Sequence, residues 1–365
     1  MRKEEIKNRN NREFCLVSTA RAAKTWKIFS RLCFLFLLPF LLLSSPLFSQ
    51  DIHYSQFYNS PLNLNPANTG MFDGTYRFAA NQRTQWRSVT VPFSTFSISA
   101  DAFQPKEWKN ISLGALMNHD IEGDSRFRTF DFNVTGAYFV NPGGDSTQRL
   151  NFGMLMGITN KHIDYSQLYF DNQYDGFMYN PTLGTGENFL RESRTYMNMQ
   201  FGATYYKLMD KRKFILGGIS LANILKPRQS YFDVRTIQLD RRFNLHASAN
   251  FPINEKIEIQ PNIMGQFQGT YQEIILGSNL RYILLNEKGV YRAALAGLYY
   301  RGKDALYLKA GLEYDDWVAG ISYDFNVSDL NPASHYRGAL EFSLIRILHV
   351  YKPKLIQHRI CPDYM

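Results

Sequence analysis

Cysteine is scarce: the chain of 365 residues holds three, at positions 15, 33 and 361. Cys15 and Cys33 fall in an N-terminal segment expected to be removed, so the remainder keeps Cys361 alone. No intramolecular disulfide is then available, and a cysteine-based metal site is not expected. Long apolar runs are equally absent beyond residue 49, where nothing approaches the roughly 20 residues of a spanning helix. Enzyme motifs are missing too. No His pair has metalloprotease spacing, no Gly-Xaa-Ser-Xaa-Gly elbow occurs, and Gly184-Thr185-Gly186 lacks both a third glycine and a following helix. The formal net charge of +9 is concentrated at the N-terminus. Residues 1–49 contain nine Lys/Arg and three Glu, a surplus of six that leaves +3 for the rest. A mature protein of that charge gives no reason to expect nucleic acid.

What is present points to β-structure. Aromatic residues make up 15% of the chain at a mean hydropathy of only -0.32, a combination that suits strands and opposes disorder. At the N-terminus, Arg21, Lys24, Lys27 and Arg31 precede an apolar run from Leu32 to Phe48 and then Ser49-Gln50. This is the layout of a secretory signal, with cleavage expected after Ser49. An uncleaved anchor stays open, since Leu47 is bulky for a cleavage pocket and the basic region is long. Cys33 stands at the start of the apolar run, where a lipoprotein cysteine would not be.

The clearest strand is Trp317 to Phe325. Trp317, Ala319, Ile321, Tyr323 and Phe325 share one face, and Val318, Gly320, Ser322 and Asp324 the other. With a side-chain period of two, one face is apolar with aromatic ends and the other small and polar. Segment 93–103 opposes Phe96, Ile98, Ala100 and Ala102 to Thr95, Ser97, Ser99 and Asp101, and segment 127–140 aligns Phe130, Phe132, Val134, Tyr138 and Val140. Further alternating segments read at 75–87, 110–119, 149–162, 195–209, 212–222, 241–251, 256–267, 270–285, 290–302, 304–314, 316–327 and 338–351. About fourteen tilted strands of bilayer-crossing length result. Connections alternate as well. If β-strand one starts in the periplasm, every periplasmic connection is short, and the two longest, 163–194 and 223–240, lie on the other side. Outer-membrane barrels sort their loops in this way; a soluble sandwich has no reason to.

The expected architecture is therefore all-β: a transmembrane antiparallel up-and-down barrel of about 14 strands over 75–351, preceded by a signal peptide (1–49) and followed by a tail (352–365). Residues 50–74 carry too many Asn, Pro and Gly for a strand interior. They are expected to form an ordered lead-in, or plug, at the barrel mouth. A secreted β-sandwich is the competing fold.

Candidate chemistry is sparse. Histidines stand at 53, 119, 162, 246, 335, 349 and 358, and His246, on a polar strand face, reads as a hydrogen-bonded wall residue sooner than a pore-lining one. Asp171, Asn172 and Asp175 lack the spacing of a calcium loop and read as an ordinary solvated turn. The aromatic run Tyr165, Tyr169, Phe170, Tyr174, Phe177 and Tyr179 admits two readings, an adaptable contact surface or a self-packed loop over the mouth. Inward charges at Asp101, Asp131, Glu258, Lys309, Glu313 and Asp324 are of both signs, which predicts internal pairing without ion selectivity. No catalytic, cofactor-binding or metal residue is assigned. Ile321→Arg should impair assembly by about 2 to 4 kcal/mol, with Ser322→Arg better tolerated on the lumen side; equal tolerance would refute the face assignment.

Two stretches carry a family resemblance. Gln56-Phe57, PLNLNPANTG from Pro61 to Gly70, Asn81-Gln82-Arg83, Gln85-Trp86 and SISADAF resemble the N-terminal half of the PorP/SprF family, and Gly320 to Phe342 with Cys361-Pro362 its other end. The less regular alternation of Leu344 to Val350 and the long basic region depart from it. The resemblance implies a non-enzymatic, integral outer-membrane component of the type IX secretion system in a Gram-negative bacterium. It would assist export or surface retention of a secreted partner with a C-terminal sorting domain, often an adhesin, in settings that include gliding motility. Implied contacts are membrane lipid and periplasmic secretion-machinery or peptidoglycan-linked proteins. A channel for a small hydrophobic solute, with 50–74 as its plug, and a soluble secreted adhesin are the alternatives.

Overall fold

Every backbone N–H and C=O of a strand needs a partner, and a sheet meets that need most completely by closing on itself. The structure, a computed structural model, describes residues 52–87, 91–105, 108–144, 147–188, 190–328 and 334–350. The expected signal peptide, the tail 352–365 and Cys361 lie outside the described residues. Fourteen antiparallel strands form one closed barrel in which each pairs with the next and the last with the first. They are β1 (Tyr76–Gln85), β2 (Phe93–Phe103), β3 (Ile111–Glu122), β4 (Phe127–Val140), β5 (Gln148–His162), β6 (Ser193–Leu208) and β7 (Phe214–Ala222). Then follow β8 (Arg242–Pro252), β9 (Ile257–Gln268), β10 (Tyr271–Glu287), β11 (Val290–Arg301), β12 (Ala305–Tyr314), β13 (Trp317–Asn326) and β14 (Arg337–Leu348). The ring has no edge, and the sandwich and soluble-adhesin readings are thereby overturned.

The period-two faces fall as the alternation requires. In β13, Trp317, Ala319, Ile321 and Phe325 point outward while Gly320, Ser322 and Asp324 are buried inside. The outward surface is aliphatic at mid-height, with Val134, Ile158, Leu245, Leu276, Leu298 and Leu308. Aromatic side chains ring it at both ends: Tyr138, Tyr282, Tyr314 and Trp317 at one, Phe130, Phe243, Tyr300 and Phe325 at the other. Girdles of this kind mark the two membrane–water interfaces.

The connections sort by end. At one end all are short, down to the two-residue turns 288–289 and 315–316; at the other lie 163–192 and 223–241. Asp315 takes the left-handed φ of 51° that a two-residue hairpin turn demands. By the usual asymmetry the short-turn end is periplasmic and the long-loop end outer.

The lead-in runs through the inside of the ring as a 3-10 turn (Phe57–Asn59), one helical turn (Pro61–Leu64) and a second 3-10 turn (Pro66–Asn68). Asn65 is extended before Pro66, and its side chain accepts from the N–H of Ala67. Ser55 meets Arg83, Arg301 and Asp324 near the outer ends of their strands, whereas Gly70 meets Asp101 near the periplasmic end of β2. The chain thus descends the lumen from outer mouth to periplasmic end, where β1 begins.

Candidate functional site

The interior is a filled space. Where the lead-in presses on the wall, the wall has surrendered its side chains: a Cβ on Gly153 would overlap the backbone of Pro66 and Ala67, and one on Gly202 the side chain of Asn65. Backbone polar groups of the lead-in, which lacks a sheet of its own, are met by wall side chains. Asn151 donates to the Ala67 carbonyl at 3.0 Å, and Ser220 and Asn244 to that of Leu64 at 3.1 and 3.2 Å. Asn65 in turn donates to the Ala203 and Ile219 carbonyls, at 3.2 and 3.0 Å. Apolar contacts complete the fit. Phe57 and Leu64 pack with Met264, Ile275, Tyr299 and Tyr307, and Leu62 with Leu116 and Leu155. Tyr299 and Tyr307 stack with centroids 4.9 Å apart, and the Lys309 ammonium lies 4.3 Å over the Tyr58 ring.

The outer half of the lumen holds a charged network around two peptide units. The Glu341 carboxylate accepts from the N–H groups of both Ser55 and Gln56, at 2.8 and 2.9 Å. Tyr307 donates to the Ser55 carbonyl at 2.7 Å. The Ser55 hydroxyl donates to Asp324 and accepts from Arg83 and Arg301. Arg83 also pairs with Asp324 at 3.0 Å and Glu341 at 3.3 Å, and Arg301 with Asp324 at 3.2 Å, Glu273 at 3.0 Å and Asp304 at 2.9 Å. Buried charges survive only when paired and hydrogen-bonded in this manner. Beside them, burial and then the positive charges of Arg83 and Arg301 push the His53 imidazole down to about 3.

Two smaller clusters follow toward the periplasm. Arg77 clasps Asp101 at 2.8 Å, and both reach the lead-in, at the Asn68 carbonyl and the Gly70 N–H. Arg281 bridges Glu258 and Glu313 at 3.0 and 2.7 Å, and Arg212 pairs with Glu258 at 3.2 Å. The expected internal pairing is therefore present at Asp101, Glu258, Glu313 and Asp324. The arginines that supply it were not singled out in the sequence, although Arg77 and Arg83 lie two-periodic with Asn81 on the inward face of β1. Ser322 corrects its expectation: it is buried and accepts from Gln56 at 3.2 Å, so no space awaits an arginine there. His246 corrects another. It is buried at 2% exposure, and neither ring nitrogen has a hydrogen-bond partner among the described residues.

The outer end differs in kind. Tyr169 and Tyr179 meet edge to face at 4.7 Å, so loop 163–192 does pack on itself, yet Phe177 remains 92% and Tyr169 79% exposed. Asp175 is spent on the turn, accepting from the N–H groups of Phe177 and Met178 at 2.9 Å, and these bonds hold its carboxyl below the usual carboxylate range. Asp164 is lowered likewise, by the Ser166 hydroxyl first. Arg191 of this loop and Arg194 at the start of β6 both reach Asp233 of the next loop, at 2.8 and 3.0 Å. Among the described residues no group of acidic, His or Cys side chains is arranged to hold a metal ion.

Comparison with solved structures finds barrels of similar wall. The toluene transporter TbuX of Ralstonia pickettii is 10% identical, at a TM-score of 0.48 over 80% of this chain and 94% of that one. The toluene transporter TodX of P. putida is 11% identical, at 0.45 over 80% and 95%. A bacterial polysaccharide outer membrane secretin is 8% identical, at 0.38 over 76% and 100%. Among curated proteins none matches the chain. The family model of the type IX secretion system membrane protein PorP/SprF matches residues 47–345, which spans the lead-in and almost the whole barrel. With a closed fourteen-strand wall girdled by aromatics, the chain belongs to the PorP/SprF family and is an outer-membrane β-barrel of type IX secretion.

Proposed function

We propose that this barrel assists export or surface retention of a secreted protein bearing a C-terminal sorting domain, and that it does so from its outer loops while the lead-in keeps the lumen plugged. The observation that carries this reading is the contrast between the two ends of the lead-in's surroundings. Inside, the lead-in's backbone is gripped by side chains from strands around the ring, which leaves no passage for a polypeptide. Outside, loops 163–192 and 223–241 present Tyr169, Phe177, Met178, Leu190, Phe232 and Ile237 to solvent, a surface of the aromatic, adaptable kind that protein partners cover. An adhesin is the expected cargo, and the periplasmic turns face the secretion machinery or a peptidoglycan-linked protein. The protein then works as a scaffold, with no catalytic group.

The test is retention of the partner at the cell surface. Replacing residues 170–180 by a short Gly/Ser linker should release the partner into the medium while the barrel keeps its heat-modifiable gel mobility. Unchanged retention would refute the loop assignment. A solute channel is the rival reading: uptake of a small hydrophobic solute by liposomes containing the intact protein would favour it over a scaffold.

A further inference from the structure

The outer wall is not uniformly covered by large side chains. Across β6 to β11, an open apolar groove of about 850 Å³ is cut into the lipid-facing surface, from the periplasmic ends of β6 and β7 up to Leu276 and Leu298 in β10 and β11, and lined between them by Tyr205, Gly217, Ala247, Pro261 and Ser278. Its volume is that of a ligand pocket. Two causes create it. Gly217 and Ala247 stand opposite one another and Ser278 stands opposite Pro261, so small side chains are gathered where neighbouring strands carry Leu or Ile. Pro261 also lacks an N–H, and the β8–β9 ladder skips from Ser248↔Asn262 to Phe251↔Ile259.

Directly below the groove the wall turns basic. Lys207 lies two residues beyond Tyr205 in β6, on the same outward face. Lys213 lies two before Ile215, itself a groove residue. The Lys213 ammonium sits 5.6 Å over the outward ring of Phe251, which places it at the membrane rim. Lys211 is exposed in the turn between them, against one acid, Asp210. Arg212 is engaged elsewhere, donating to the Asn254 and Glu255 carbonyls at 2.9 and 2.8 Å and pairing with Glu258. Pro261 is four residues above Ile257, about 13 Å along the strand at 3.3 Å per residue. The distance from rim to groove is that of a headgroup to the upper part of its own acyl chain.

The geometry points to a binding site for one anionic phospholipid of the periplasmic leaflet, with an acyl chain in the groove beside Pro261 and the headgroup phosphate between Lys207, Lys211 and Lys213. Charge complementarity selects the occupant. A zwitterionic lipid would bring its own headgroup cation up against the three lysines, and a transmembrane protein segment would have no need of three cations at the rim. This inference stands apart from the outer-loop reading and survives its failure.

Native mass spectrometry of the full barrel in mild detergent tests it, with phosphatidylglycerol and phosphatidylcholine as probes. Phosphatidylglycerol adducts should outnumber phosphatidylcholine adducts at least tenfold. Lys207→Gln combined with Lys213→Gln should erase that preference. Gly217→Leu should reduce adducts tenfold with the lysines intact, because a Cβ there meets only the His246 carbonyl oxygen, at 3.9 Å, and a leucine extends into the groove. Ala247→Leu repeats the measurement on a second strand, and heat-modifiable mobility certifies folding of each variant. Equal binding of the two lipids, adducts indifferent to both kinds of variant, or a polypeptide held on this face in place of lipid would each overturn the proposal.

Discussion

The lead-in and loop 163–192 are the two longest irregular stretches described, and they are made of similar residues: Asn, Tyr, Phe, Pro and Gly. Inside the ring, Ser55, Gln56, Asn65, Ala67 and Thr69 have 0% exposure; in the loop, most side chains face solvent. The difference lies in who satisfies the backbone. Loop 163–192 closes its own turns, with Asp164, Asp175 and Asn180 accepting from N–H groups two or three residues on. The lead-in closes its short turns as well, but its Ser55 and Gln56 N–H groups and its Leu64 carbonyl are met from 180 or more positions away, by Glu341 and Asn244. Irregular chain can therefore be as fixed as a strand when a closed wall supplies its partners, and composition does not distinguish the cases.

The largest effects are expected inside. Arg83→Ala leaves Glu341 without its guanidinium and Asp324 with Arg301 alone, and removing one partner of a buried pair costs about 3 to 5 kcal/mol; the urea midpoint in detergent should fall accordingly. Gly153→Leu should expel the lead-in, since its side chain would occupy the place of Pro66 and Ala67; the expected readout is new ion conductance in planar bilayers, and a silent bilayer would refute the fit. Asn65→Ala leaves the buried Ala67 N–H without the side-chain oxygen that accepts from it, at about 1 to 3 kcal/mol, read by the same urea midpoint.

Acidification should loosen the lead-in at its outer end. The folded His53 pKa is about 3 against 6.5 when unfolded, so the unfolded state binds more protons between these values. Stability contributed by the neutral imidazole is complete above about 6.5 and is lost as pH falls toward 3. His53→Gln should flatten this part of the pH profile of proteolytic protection. The smallest effect belongs to the loops: Asp233→Asn breaks exposed pairs worth about 0 to 1 kcal/mol, and an unchanged melting curve is the expected result. A large loss there would erase the contrast between the two regions.

Much of the wall was legible because a strand's period is two and a bilayer makes the two faces chemically opposite. The fourteen segments read from alternation match β1 to β14 to within about three residues at each end, with the last ending at Leu348 where alternation weakens. Less legible was which apolar residues turn inward. Tyr299 and Tyr307 look like girdle residues in sequence, yet they are buried because Phe57 and Tyr58 lie against them. The network at Ser55 was invisible for a different reason. Its members are brought together only by closure, which sets Arg83 opposite Glu341.

That closure gives the Ser55–Gln56 grip a role in time. The ring is sealed where β1 meets β14, and the grip draws on β1, β13 and β14 at once through Arg83, Asp324 and Glu341. Ser55 and Gln56, near the start of the described residues, are thus clasped by β14, the last strand described. A truncated barrel lacking β14 cannot make the clasp, so the grip on Ser55 and Gln56 belongs to the closed ring alone, and the seam reports its own completion.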